Sequence, residues 1–170
     1  MQVIFDTPRL LLRRFTEADV PLLLELNSDP EVLTYLHEPM LENEEHALQI
    51  LQTIILPQYE KNLGRLAVHV KETNEFIGWC GLKAIPELNE IDLGYRFMKK
   101  AWGKGYATEC ASHTLDYGFN KLGLDKITGR AHIHNLASCR ILEKIGMTFI
   151  GDGIVDDCPV KTYIAERPIQ

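Results

Sequence analysis

Apolar positions along this chain follow two periods, and the switches between them mark its elements. Arg9 to Phe15 reads as a strand, apolar on both faces near its start. Thr16-Glu17-Ala18-Asp19 resembles a capping box, with Thr16 as N-cap and an acid three residues on. A helix then runs through Leu22, Leu23 and Leu26. Asp29-Pro30-Glu31 predicts a second, short helix with proline at its first position. From Asn43 a third helix puts Ala47, Ile50, Leu51 and Ile54 on one face, and Pro57 kinks or ends it.

The period then falls to two. Leu66, Val68 and Val70 alternate with Ala67, His69 and Lys71, and Glu72 to Glu75 turns the chain back into a strand over Phe76 to Leu82. After a loop holding Pro86 comes a strand from Ile91 to Phe97. A helix from Gly105 to Leu122 faces Ala107, Cys110, Ala111, Leu115, Gly118 and Leu122 inward. Ile127 to His134 is a strand, and Leu136 to Ile145 a helix stopped at Gly146. Phe149 to Ile154 and Val160 to Ile164 close the chain as strands. The order β-α-α-α-β-β-β-α-β-α-β-β predicts one α/β (α+β) domain over residues 1–170, with helices packed on a mixed sheet.

Composition narrows this picture. With 170 residues, 45% hydrophobic and 25% charged, the chain is ordinary for one globular domain. No apolar run approaches the roughly 20 residues of a membrane helix, and the first residues do not read as a signal peptide. A cytoplasmic protein is expected. Cys80, Cys110, Cys139 and Cys158 form no CxxC pair and read as free thiols. The net charge of −6 argues against nucleic acid or an acidic membrane as partner. That charge is uneven: residues 1–90 carry 7 Lys/Arg against 15 Asp/Glu, and residues 91–170 carry 11 against 9. An anion site is more plausible in the second half, and a cationic acceptor would be better received by the first.

The segment Tyr95 to Glu109 carries the most chemistry. It is a strand, then the basic, glycine-bearing loop Lys99-Lys100-Ala101-Trp102-Gly103-Lys104-Gly105, then a helix. Glycines let backbone approach a ligand closely, and a helix start offers unpaired N–H groups suited to phosphate. Lys99, Lys100 and Lys104 add charge; the plain alternative is a tight strand-to-helix connection. A P-loop is excluded by the absence of GK[ST], and the glycines do not follow GxGxxG.

Trp102-Gly103-Lys104-Gly105-Tyr106-Ala107-Thr108-Glu109 resembles the acetyl-CoA pyrophosphate loop of the GCN5-related N-acetyltransferase (GNAT) superfamily, and in particular its RimJ/RimL-like branch. Thr7-Pro8-Arg9-Leu10-Leu11-Leu12-Arg13 resembles that branch's opening strand. Asn135 to Met147 resembles its Asn-x-x-Ser…Glu-Lys-x-Gly-Phe segment. Three positions depart from the pattern. Lys100 stands where Gln or Arg is usual, Met147 replaces Phe, and Leu142 occupies the position of a tyrosine that serves many relatives as general acid.

The resemblance implies a sheet splayed at the acetyl-CoA site and acetyl transfer to an amine, with acetyl-CoA as co-substrate and no metal. Backbone N–H groups of Gly103, Lys104, Gly105, Tyr106, Ala107 and Thr108 would hold the pyrophosphate, beside Lys100. Phe97 and Met98 would pair with the pantetheine arm, and a backbone N–H there would meet the oxyanion. Asn135 would bond the pantetheine; its plainer role is a helix N-cap. Ser138 would serve the leaving thiolate, in place of the missing tyrosine. Asp92 is the first candidate for general base and Glu90 the second. Tyr95, Trp102 and Tyr106 read as packing with some part in the cleft, and His132 with His134 lacks further metal ligands. The acceptor is a protein N-terminus or a small-molecule amine, and a homodimer is possible. Two other readings stand beside this one: a non-catalytic acyl-CoA-binding module, and a nucleotide-binding domain sharing a glycine-rich turn.

Overall fold

The computed structural model describes residues 2–36 and 38–169. Eight strands form one sheet in the order β1-β2-β3-β4-β5-β6-β8-β7. They are β1 (Val3–Asp6), β2 (Leu10–Arg14), β3 (Gly64–Val70), β4 (Phe76–Ile85), β5 (Glu90–Phe97), β6 (Lys126–His132), β7 (Thr148–Val155) and β8 (Cys158–Glu166). Every neighbouring pair is antiparallel except β5 and β6, which run parallel. Helices α1 (Val20–Leu26), α2 (Glu44–Ile50) and α3 (Leu56–Tyr59) belong to the first half, α4 (Tyr106–Asn120) and α5 (Leu136–Lys144) to the second. No helix of the described residues is long and apolar enough to cross a membrane.

The two sheet faces follow from strand alternation. Cys80 lies opposite Tyr95 in the β4–β5 ladder, and its Sγ is 3.3 Å from Thr114 Oγ1 of α4. Leu93, Tyr95 and Phe97 therefore share the α4 face. Asp92, Gly94 and Arg96 point to the other face, where Arg96 reaches Asn27 at the end of α1. The core includes Leu10, Leu12, Leu26, Leu51, Val68 and Ile127, each fully buried; each such aliphatic side chain contributes about 1.5–3 kcal/mol by leaving water.

Most expected elements are present, with instructive differences. Strand β1 was not anticipated; it pairs with β2 through a bulge and has mostly half-exposed residues, so its pattern carries little signal. The helix expected at Asp29-Pro30-Glu31 is instead a run of turns to Tyr35, closed by Val32 N–H to Asp29 C=O and Leu36 N–H to Leu33 C=O. The Asp29 side chain accepts from Glu31 N–H at 2.9 Å, a local bond that competes with helix. Between α2 and α3 the helix widens into a π turn, Leu51–Ile55, with Leu56 N–H donating to Leu51 C=O. Pro57 has no N–H to give and would crowd an ordinary turn, so the wider turn carries the chain past it to Tyr59. The extra residue moves the inner face from Ile54, 36% exposed, to Ile55, 1% exposed. At the capping box the Asp19 carboxylate accepts from Thr16 N–H at 2.8 Å, and it also pairs with Arg13.

Candidate active site

Strands β5 and β6 pair only at Asp92–Thr128 and Leu93–Gly129. Beyond Gly94 they part: β5 stays with β4 as far as Phe97, and β6 stays with β8 as far as His132. The sheet thus splays where Tyr95, Phe97 and Met98 border a gap. Met98 donates its backbone N–H to Ile77 on the β4 side, at 2.8 Å. By alternation the N–H of Phe97 points the other way, into the gap. The Phe97 carbonyl accepts from the Trp102 indole at 2.9 Å, which folds the following loop back across the strand end.

That loop is exposed from Trp102 to Gly105. Gly103 has φ +75° and Gly105 has φ +79°, a left-handed conformation that glycine adopts without strain. Gly105 caps α4, whose first α-helical bond runs from Glu109 N–H to Gly105 C=O at 3.1 Å. The N–H groups of Tyr106, Ala107 and Thr108 precede it and have no intrahelical acceptor. Of the lysines, Lys100 pairs with Glu75 at 2.7 Å, and Lys99 pairs with Glu31. Both lysines are thus paired with carboxylates.

A contact that sequence reasoning missed holds this loop in place. The Glu109 carboxylate accepts from Thr7 Oγ1 at 2.6 Å, Arg9 N–H at 3.0 Å and Arg9 Nε at 2.8 Å. Arg9 also donates Nη1 to Lys104 C=O at 2.9 Å and covers the Tyr106 ring at 4.5 Å. Although burial opposes it, bonding to Thr7 and Arg9 leaves the Glu109 carboxyl below its ordinary pKa. Both partners lay in segments singled out by sequence, but nothing in either indicated that they touch.

Asn135 caps α5, its Oδ1 accepting from Ser138 N–H at 3.2 Å. The cap uses only the carbonyl oxygen, so the amide N–H groups remain for another acceptor. Ser138 Oγ lies 2.8 Å from Tyr95 OH. Tyr95, expected to pack with some part in the cleft, joins strand β5 to α5 beside the gap through its hydroxyl, and burial pushes its pKa up. Leu142 is 1% exposed and its Cδ2 would be 3.2 Å from a Cβ at Gly129, so this position is packed against β6.

Asp92 is half-buried on the opposite face. It accepts from Thr128 Oγ1 at 3.2 Å and lies 3.4 Å from Arg130 Nη1, while Arg130 also pairs with Glu90 at 2.8 Å. Burial raises its carboxyl from 3.8 to about 6, against the pull of Arg130 and Thr128. His132 and His134 lie with ring centroids 5.4 Å apart, and the His132 ring also meets Tyr35 at 5.5 Å. Among the described residues no group of three or more His, Cys, Asp or Glu could hold a metal ion.

Residues 9–148 match the family described as Acetyltransferase (GNAT) domain. The chain is a GNAT-family N-acetyltransferase. An uncharacterized N-acetyltransferase, p20 of Bacillus licheniformis, is 33% identical over 89% of this chain and 84% of that protein. The crystal structure of a GNAT-family acetyltransferase from Bacillus anthracis superposes with TM-score 0.81 at 26% identity, over 98% and 99% of the two chains. RimL, a ribosomal L7/L12 α-N-protein acetyltransferase solved with coenzyme A, has TM-score 0.82 at 17% identity over 97% and 98%, which is a likeness of fold. For the GNAT enzyme described here, these matches establish family and architecture together: one α/β domain with a mostly antiparallel mixed sheet, acetyl-CoA as donor and an amine as acceptor.

Proposed function

We propose that this enzyme acetylates a primary amine by direct attack on the thioester, with Asp92 as base and Ser138 serving the leaving sulfur. One observation carries the reading: the gap between β5 and β6 has Asp92 on one sheet face and Ser138 with Tyr95 on the other. The exposed glycine loop and the splayed strands fit the donor, because both offer backbone N–H groups with no strand or helix partner to take them. Bound there, acetyl-CoA supplies an activated acyl carbonyl and a thiolate leaving group. The N–H groups of Gly103 to Thr108 receive the pyrophosphate, Phe97 and Met98 run beside the pantetheine arm, and the Phe97 N–H faces the acyl oxygen. Lys100, salt-bridged to Glu75, adds long-range charge and no direct bond.

The amine arrives on the α1 face. Asp92 takes its proton, and an α-amine of pKa about 7.7–8 needs only a modest base. On the α4 face Ser138 donates to the departing sulfur, with Tyr95 OH holding the serine rotamer. The four free cysteines, three of them buried, fit a reducing cytosol. Two copies can pair along β7, whose outer residues Ile150 and Ile154 are exposed, and sedimentation decides whether they do.

Release of free thiol from acetyl-CoA with a panel of amines tests the function. Transfer to at least one amine, lost in both Asp92→Asn and Ser138→Ala, is the expected result. Tight acetyl-CoA binding with no transfer to any amine would leave a binding module.

A further inference from the structure

The charges on the α1 face of the sheet do not balance locally. Arg13 is matched by Asp19 through bonds of 2.8 and 2.9 Å, and Arg130 by Glu90 and Asp92. Arg65 and Arg96 share what remains. Arg96 is 8% exposed; it donates to Asn27 and, through Nη2, to both oxygens of Glu38 at 3.2 Å, while its buried Nε has no hydrogen-bond partner. Arg65 makes no side-chain hydrogen bond or ion pair among the described residues. Its guanidinium stacks on Trp79 at 4.5 Å, and Arg96 approaches the same ring at 5.5 Å. Burial and the nearby Arg96 lower the Arg65 pKa to about 10. Two guanidiniums thus flank one buried indole, and among the described residues only Glu38, on Arg96, pairs with either of them.

This cluster adjoins the reacting centre. Trp79 Cζ3 would lie 3.3 Å from a Cβ at Gly94, and Gly94 sits between Asp92 and Arg96 on the same face of β5. The indole packs against the bare backbone of Gly94, with Asp92 and Arg96 on either side of it along the strand. Glu38 shows what fits there. It is a carboxylate reaching Arg96 from the connection between α1 and α2, and it stays half-exposed while its partner is buried.

We infer that the acceptor is a small amine carrying a carboxylate, which Arg65 and Arg96 bind over Trp79 while its nitrogen faces Asp92. A planar oxyanion supplies the acceptors that Arg65 and the Arg96 Nε lack, and it neutralises the surplus charge. The acid excess in the first half of the chain does not oppose this, because Glu42, Glu44, Glu45, Glu60, Glu72 and Glu87 are all exposed side chains. Summed charge instead favours a cationic acceptor, and spermidine tests that alternative.

The inference rests on the acetyltransferase reading, and its test separates the two. Pairs of amines differing only in the carboxylate are compared, 4-aminobutyrate with butylamine and alanine with ethylamine, with spermidine as the cationic case. One readout is thiol release from acetyl-CoA; the other is thermal shift of the coenzyme A complex by each amine alone. The carboxylated member of a pair should lead roughly 10- to 100-fold in kcat/KM and in apparent affinity. In Arg65→Met, which keeps apolar contact with the indole, that ratio should fall towards one, and Arg65→Lys should restore part of it. Equal ratios in wild type and Arg65→Met, or a preference for butylamine or spermidine, would overturn the inference. Carboxylate-selective binding without thiol release would uphold it and instead overturn catalysis.

Discussion

Asp92→Asn separates chemistry from folding. The Asp92 carboxyl titrates near 6 because burial outweighs its attraction to Arg130. About 10% is ionised at pH 5 and about 90% at pH 7, so kcat/KM, referred to the neutral fraction of the amine, should rise roughly ninefold across that interval. Asparagine removes the proton acceptor and should cost about 10²–10⁴ in kcat/KM, abolishing the acid limb. Stability should move the other way. A carboxyl whose pKa is 3.8 unfolded and about 6 folded favours the fold fully below 3.8, and that contribution is lost as pH rises through 6. Ionising it at pH 8 therefore costs the wild type up to about 3 kcal/mol. Asparagine avoids this cost, and Arg130 keeps Glu90 at 2.8 Å. Thermal unfolding at pH 8 should find the variant at least as stable as wild type, with its acetyl-CoA shift intact. Thiol-release rates from pH 5 to 9 supply the comparison; an acid limb that survives in Asp92→Asn, or a loss of less than threefold, would refute the base assignment.

Ser138→Ala should lower kcat by at least tenfold while acetyl-CoA still raises the melting temperature; Tyr95→Phe should show a smaller fall, since it removes only the hydroxyl 2.8 Å from Ser138 Oγ. Glu109→Gln should cost about 1–3 kcal/mol and weaken coenzyme binding in titration calorimetry, because Thr7 and Arg9 lose a charged acceptor. Gly105→Ala places a side chain at φ +79°, worth about 1–2 kcal/mol of strain, and should weaken acetyl-CoA binding more than it lowers the melting temperature. Leu142→Tyr should destabilise the protein by about 1–3 kcal/mol in thermal unfolding, because the position is buried and packed against Gly129.

Features carried by local pattern were legible in the sequence. The β3–β4 hairpin, the glycine loop and the Asn135 cap each depend on a few adjacent residues, and each stands where expected. What depends on distant residues was hidden. The clamp of Glu109 on Thr7 and Arg9 joins positions about a hundred apart, and the stacking of Arg65 and Arg96 on Trp79 needs three strands in register. The Lys100–Glu75 pair was hidden for the same reason, since it joins the loop to a distant turn. The π turn was invisible because Pro57 announces a disturbance without saying which residue absorbs it.

The clamp also orders events in time. Arg9 leaves the ribosome roughly a hundred residues ahead of Glu109, and closing so long a loop carries an entropic cost that shorter pairings such as β3 with β4 avoid. The glycine loop therefore reaches the shape described above only after the N-terminal strand and α4 have met. On the proposed donor site, coenzyme binding then reports on completed topology, since a nascent or partly unfolded chain with an intact loop sequence lacks the clamp.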